Sequence, residues 1–300
     1  MRSGPKSMAR NFVSAGGRAS LFLFIGACGG SYANSWEASG IELLETSEQL
    51  ALSGSRFEAP ALDGPAMRAL ERARQKKQAL RGERGERLTK LRLEAIDAYQ
   101  RVHERWPEAG GITAEAAFRA GELLRTGGAP NLAIQEFEIA VGTREGGEFS
   151  ARARYEIGHV QRREGRSELA LAAFEELTAS PAADDHLRDM ASLWYAKVLS
   201  EIDQPRDAER VLRRLVKCAV APTDRIRAYD ELIVMVVDRA ELEGASGWLR
   251  ECKMSVAEES LAMTKEGERI RSALENMRGL KALRSAIEQR MAQPGYDPLR

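Results

Sequence analysis

Small and large apolar residues recur along the chain at a fixed interval. Spacings of 38, 37, 38 and 37 residues separate five alanines, which are Ala95, Ala133, Ala170, Ala208 and Ala245. Four positions after each alanine stands a large apolar residue: Tyr99, Phe137, Phe174, Leu212 and Leu249. Twelve positions before the last four alanines stand Gly121, Gly158, Ala196 and Ile233. Because small residues let two helices approach and a large residue then fills the gap, the pattern predicts repeated helix pairs.

The predicted helices fit the positions of proline. Between residues 68 and 293 every proline falls at a predicted turn or helix start, where a missing N–H costs little: Pro107, Pro130, Pro181, Pro205 and Pro222. A helix at 86–106 precedes the pairs, and Ala66–Leu80 is the candidate for its first-helix partner. The pairs themselves are predicted at 113–126 with 130–143, 150–163 with 167–179, 187–201 with 205–218, and 224–239 with 242–254.

This repeat resembles the tetratricopeptide repeat, a unit of two antiparallel helices with small residues at the crossing and large ones around it. The resemblance implies an all-α fold, an α-solenoid in which successive pairs wind into a superhelix. The interval here exceeds the usual period of about 34 residues by three or four, so longer loops between units are expected.

A further helix is predicted after the repeats. Apolar residues keep helical spacing as far as Gln293, at Ile270, Leu274, Met277, Leu283, Ile287 and Met291. A solenoid needs a terminal cap with a polar outer face, and this helix suits that role. The alternative is a coiled-coil partner helix, although Gly279 interrupts the apolar stripe.

The N-terminus has the pattern of an export signal. Residues 1–36 contain four basic residues and no acidic one, and an apolar run occupies residues 19–27. That run is too short for a membrane-spanning helix, which needs about 20 residues. The ending Ile25-Gly26-Ala27-Cys28 resembles a bacterial lipobox, which implies an acylated Cys28 at the mature N-terminus, and Gly29 behind it implies the outer membrane.

Three other interpretations of this N-terminus stay open. Cleavage after Ser31-Tyr32-Ala33 would release a soluble exported protein, which would be periplasmic. An uncleaved anchor would run from Phe12 to Ala33, and the apolar run could also occur by chance in a disordered tail. The preferred division is a signal peptide at 1–27, a flexible Ser- and Gly-rich tether at 28–65, helical repeats at 66–255, and a capping helix with a tail at 256–300.

Composition and motifs argue against catalysis. With 45 basic and 45 acidic residues the chain has no basic surplus, so no nucleic-acid partner is expected. The three histidines, His103, His159 and His186, lack metal-ligand spacing, and no phosphate loop or nucleophile elbow is present. We therefore expect no enzyme activity, cofactor or metal. Cys218 and Cys252 could form a disulfide in an oxidising envelope or stay as two small buried thiols.

The resemblance also implies where a partner would bind, because related proteins hold extended or helical segments in the concave groove lined by first helices. Carried over by repeat position, the candidate groove residues are Phe118, Arg125, Arg152, Tyr155, His159, Arg162, Arg163 and Lys197. The middle of this set is basic, which favours an acidic segment or a C-terminal carboxylate, with Arg152, Arg162 and Arg163 as donors. The alternative is an ordinary solvated helix face.

The sequence thus predicts a non-catalytic adaptor or scaffold of the bacterial cell envelope, which binds other envelope proteins or peptides and reaches the membrane through a lipid. Two alternatives from other classes remain: a cell-wall-acting enzyme or its accessory subunit, and a soluble regulatory repeat module.

Overall fold

The computed structural model describes residues 63–293, and all regular secondary structure in this range is helical. Predicted features at other positions, including the export signal, Cys28 and most of the tether, lie outside the described residues. The helices are α1 Asp63–Gln78, α2 Gly85–Arg105, α3 Gly111–Thr126, α4 Pro130–Gly142, α5 Gly147–Arg163, α6 Ser167–Thr178, α7 Asp185–Glu201, α8 Pro205–Cys218, α9 Pro222–Asp238, α10 Leu242–Ser255, α11 Ala257–Leu261, α12 Lys265–Glu275 and α13 Arg278–Met291.

The first ten helices form five consecutive pairs, α1/α2 to α9/α10. Each predicted helix is present, with ends within three residues of the prediction, so the all-α solenoid of helix pairs is confirmed. Every first helix packs on its own second helix and on the second helix of the preceding pair. Successive first helices also contact one another, whereas no comparably extensive contact joins successive second helices of the described range. The first helices therefore line the inner face of the array.

The small residues of the repeat lie where the two helices of a pair come closest. A Cβ atom added to Gly121 would lie 2.5 Å from Cε1 of Phe137, and one added to Gly158 would lie 2.7 Å from Cε1 of Phe174. Both phenylalanines are completely buried. In the next pair the combination becomes Ala196 with Leu212, and both are again buried. The glycines thus permit an aromatic ring to fill the centre of the pair.

The turn inside each of the last four pairs uses one backbone conformation at one repeat position. Gly128, Gly165, Asp203 and Ala240 all have φ between 60° and 83°. This left-handed region costs a residue with a Cβ atom about 1 to 2 kcal/mol, and glycine avoids that cost. In the last pair Ala240 stands at this position and bears that cost.

The C-terminal region differs from the prediction of one helix, because it contains α11, α12 and α13. Thr264 begins α12 by accepting a hydrogen bond from the Gly267 N–H at 3.1 Å, and Met277 has an extended ψ of 128° before α13. Gly279 does not interrupt the apolar stripe but permits α13 to approach α9, since an added Cβ would lie 2.8 Å from Cβ of Ile233. The Gly279 N–H also donates to Asp230 Oδ1 at 2.7 Å.

The two cysteines of the described range lie in different environments. Cys252 is a fully buried thiol without a disulfide, and burial raises its pKa to about 12. Cys218 is exposed, so the expectation that both thiols are buried is wrong for that residue. Between residues 63 and 293 no helix combines the length and apolar character that crossing a bilayer requires.

Candidate functional site

Ion pairs connect the first helices along the inner face. In each of four such pairs the cation lies on the earlier helix and the carboxylate on the next first helix along the chain. The pairs are Lys77 with Glu122 at 2.8 Å, Arg125 with Glu156 at 3.1 Å, Arg162 with Glu201 at 3.0 Å, and Lys197 with Glu231 at 2.7 Å. Each cation lies about one repeat before its partner, which explains how separate units share one charged surface.

Three aromatic side chains and two cations meet midway along this face, where α5 lies beside α7. We call Tyr155, His159, Arg162, Trp194 and Lys197 the central cluster. The ring centroid of His159 lies 4.4 Å from that of Tyr155 and 4.6 Å from that of Trp194, both edge to face. The guanidinium of Arg162 lies 4.8 Å from the centroid of the Trp194 ring, and Nζ of Lys197 lies 4.7 Å from it. Cations at such distances are attracted by the indole face.

The environment of the central cluster combines burial with positive charge. Burial, together with the charges of Arg163, Arg162 and Arg125, lowers the pKa of His159 to about 4. His159 is therefore neutral at pH 7. Burial also raises the pKa of Tyr155 to about 12, against the opposite effect of its hydrogen bond with Trp194. The aromatic rings rest on Phe174, whose centroid lies 5.3 Å from that of His159.

The predicted groove cations differ in how they are paired. Arg125, Arg162 and Lys197 each hold a carboxylate of the neighbouring first helix. Arg152 pairs with Glu148 one turn earlier on α5. Arg163 is exposed and forms no ion pair within the described range. Of the three proposed donors, Arg152 and Arg163 are exposed, and Arg163 is the one that forms no ion pair within the described range.

The groove assignment of Phe118 needs correction. Phe118 is only 4% exposed, and its ring packs between Phe137 at 5.8 Å and Phe149 at 5.7 Å, so it supports the inner face from below. Leu193, which occupies the same repeat position on α7, is also buried. The next residue, Trp194, takes the partly exposed place. Sequence reasoning missed Trp194 because the carry-over selects Leu193, three residues before Ala196, as the counterpart of Tyr155, three residues before Gly158.

A buried carboxylate near the start of α9 is held by two neighbouring side chains. The Asp224 carboxylate, which is 2% exposed, contacts His186 Nδ1 at 2.5 Å and accepts from Arg227 Nη1 at 2.9 Å. No serine or threonine hydroxyl hydrogen-bonds to His186 within residues 63–293. That range also contains no group of three residues able to hold a metal ion.

Comparisons with known proteins find similarity in structure. No protein-family profile matches the chain, and no curated protein matches its sequence. The crystal structure of the MamA protein is 17% identical over 66% of this chain and 97% of its own, with a TM-score of 0.48. The apo form of RapI is 12% identical over 76% and 85%, with a TM-score of 0.49. PilF of Pseudomonas aeruginosa is 14% identical over 78% and 94%, with a TM-score of 0.46.

Proposed function

We propose that this protein is a non-catalytic adaptor of the bacterial cell envelope, which binds an acidic segment of a partner protein along its inner face. In this proposal Cys28 carries the lipid that tethers the protein to the outer membrane, on its periplasmic side. The observation that carries the binding proposal is the central cluster, where Trp194, Tyr155 and their flanking cations lie together and partly exposed midway along the array.

The composition of the central cluster favours protein binding. Tryptophan, tyrosine and arginine dominate the binding energy of protein interfaces, because they combine a large apolar area with directed polar groups. These residues lie on rigid helices and are held by contacts within the array, so little ordering is needed when a partner arrives.

The charges of the same region favour an acidic partner. Four cations of this region compare with three carboxylates on the next first helices. The cations are Arg125, Arg162, Arg163 and Lys197, and the carboxylates are those of Glu156, Glu201 and Glu231. The additional cation is Arg163, which is exposed, forms no ion pair within the described range, and in this proposal receives a partner carboxylate. Hydrogen bonds between a guanidinium and a carboxylate are among the stronger contacts at protein surfaces.

Affinity capture from envelope extract tests the binding proposal. The bait is the full chain with Cys28→Ser, which prevents acylation, and captured proteins are quantified by mass spectrometry. Trp194→Ala should lower capture of the specific partner at least about tenfold, as loss of an interface anchor does. Reversing the charge of Arg162 and Arg163 should abolish it.

Trp248→Ala is the matched control, because Trp248 lies on the second helix α10 and has its own arginine, Arg213, at 5.1 Å from its ring. Capture should survive this substitution. Equal capture by the Trp194→Ala bait and the parent bait would eliminate the central cluster as the binding site.

Mass spectrometry of the mature N-terminus tests the envelope location separately. An acylated Cys28 as the first residue is the expected result. A free N-terminus after Ala33 would replace the lipid anchor with soluble export, and an intact Met1 in a cytosolic fraction would contradict export altogether.

A further inference from the structure

The first helix pair is strongly basic, although the net charge of the whole chain is zero. Residues 66–92 contain ten lysines and arginines but three glutamates, against 45 of each sign in the whole chain. Six of these cations are exposed and form no ion pair with any described residue: Arg68, Arg72, Lys76, Arg81, Arg84 and Lys90. We call these six residues the terminal basic patch.

The geometry of α1 places part of this patch on one stripe. Arg68, Arg72 and Lys76 follow one another at four-residue intervals, so they lie along one side of the helix over about 12 Å. At about 100° per residue, Arg68 and Arg72 each lie about 160° from Leu70, whose side chain is buried in the core. The stripe therefore faces away from the array, whereas Arg74 of the same helix faces α3 and pairs with Glu115 at 2.5 Å.

The cations of the stripe match the chemistry of a lipid headgroup layer. A helix that presents lysines and arginines to solvent is suited to the headgroup region of an anionic bilayer, where the cations meet phosphates. Met67 is 45% exposed but lies about 100° from Arg68 and about 140° from Arg72 around the helix, so it does not belong to the stripe. A nucleic acid would also attract the cations, and a DNA duplex is therefore one arm of the test.

We propose that the terminal basic patch binds the surface of an anionic lipid bilayer. It lies on the first described helices after Cys28, thirty-five positions from Cys28 to Asp63. In the proposed function Cys28 carries the lipid anchor, and a basic patch is a second membrane signal that strengthens such an anchor. The patch would bring the first helix pair to the membrane and leave the central cluster, two to three pairs further along, available to a partner protein.

Vesicle binding tests this proposal on the full chain with Cys28→Ser, so that no lipid contributes. The probes are large vesicles of phosphatidylcholine alone and with 30% phosphatidylglycerol, measured by flotation. Each cation near an anionic surface strengthens binding about fivefold, so the triple variant Arg68→Gln, Arg72→Gln, Lys76→Gln should lower the partition coefficient on the order of 100-fold. Glutamine keeps the helix propensity of these exposed positions.

The matched control neutralises three other exposed cations, Arg214, Arg250 and Arg284, each to glutamine. These also form no ion pair within the described range, and they lie outside the first helix pair, so this variant has the same net charge without touching the patch. Its binding to anionic vesicles should match that of the parent chain.

Equal losses in the two triple variants would overturn the proposal, because total charge alone would then explain binding. Equal binding to neutral and anionic vesicles would overturn it as well. Tighter binding to a 20-base-pair DNA duplex than to anionic vesicles, lost in the first triple variant, would assign the patch to nucleic acid. None of these outcomes affects partner capture at the central cluster, so the two proposals fail independently.

Discussion

The contact between Gly158 and Phe174 gives the sharpest test of how this sequence builds its helix pairs. Gly158→Ala adds a Cβ atom 2.7 Å from both Cε1 and Cζ of Phe174, whereas carbon atoms in contact lie about 3.5 to 4.0 Å apart. The ring or the whole second helix must move by about 1 Å. Phe174 is fully buried and packs against Tyr155 and His159, so no free space receives it.

The size of the effect follows from two opposing contributions. Overpacking a buried contact costs about 1 to 3 kcal/mol. Replacing a helical glycine by alanine stabilises the helix by about 1 kcal/mol. The control Gly247→Ala isolates the second contribution, because Gly247 lies in α10 and an added Cβ would have no neighbour within 4 Å. We expect the two alanine variants to differ by about 1 to 3 kcal/mol, with Gly247→Ala the more stable.

Thermal unfolding followed by far-ultraviolet circular dichroism measures this difference. For a chain of this size, 1 kcal/mol corresponds to a change of about 2 to 4 °C in Tm. The double variant Gly158→Ala with Phe174→Leu reproduces the natural combination of Ala196 and Leu212, and it should recover part of the loss through a coupling of about 1 kcal/mol. Equal Tm values for the two alanine variants would refute the close-approach explanation.

Three further predictions concern single positions. The pKa of His159 is about 4 in the folded protein, below its ordinary value of 6.5, so the unfolded chain binds a proton at higher pH than the folded one. The free energy of unfolding should therefore fall as the pH drops from about 6.5 to 4. His159→Gln should flatten this pH dependence, as measured by urea titrations. Ala240→Gly relieves a φ of 60° and should raise the free energy of unfolding by up to about 1 kcal/mol. Gly279→Ala, clashing with Ile233, should loosen α13 and speed its removal in limited proteolysis.

Each of these has an outcome that would contradict it. An unchanged pH dependence in His159→Gln would show that other groups cause it. A lower Tm for Ala240→Gly would mean that the gain in chain entropy on unfolding outweighs the relief of strain. Proteolysis of α13 at the parental rate would show that the α9 contact adapts to an added methyl group.

The repeat was predictable from the sequence because helix pairing is a local matter. Gly158 and Phe174 lie sixteen residues apart, within one helical hairpin, so their sizes alone indicate the close crossing. The turns within the pairs are equally local, but in the last pair the left-handed backbone conformation falls on Ala240, and alanine does not signal such a conformation in a sequence. The C-terminal region was harder, because Gly279 has a packing role only in relation to Ile233, 46 positions earlier.

The sequence alone predicted a solenoid of helix pairs and placed the ends of each paired helix to within three residues. The candidate binding surface became visible in the tertiary structure: Trp194 rather than Leu193 reaches the inner face, most groove cations already hold a carboxylate of the next unit, and Phe118 is buried. This difference arises from how far apart along the chain the interacting residues lie. Helix pairs form through contacts between sequence neighbours, whereas the surface they create depends on the small rotation between units, which spacing along the chain does not specify.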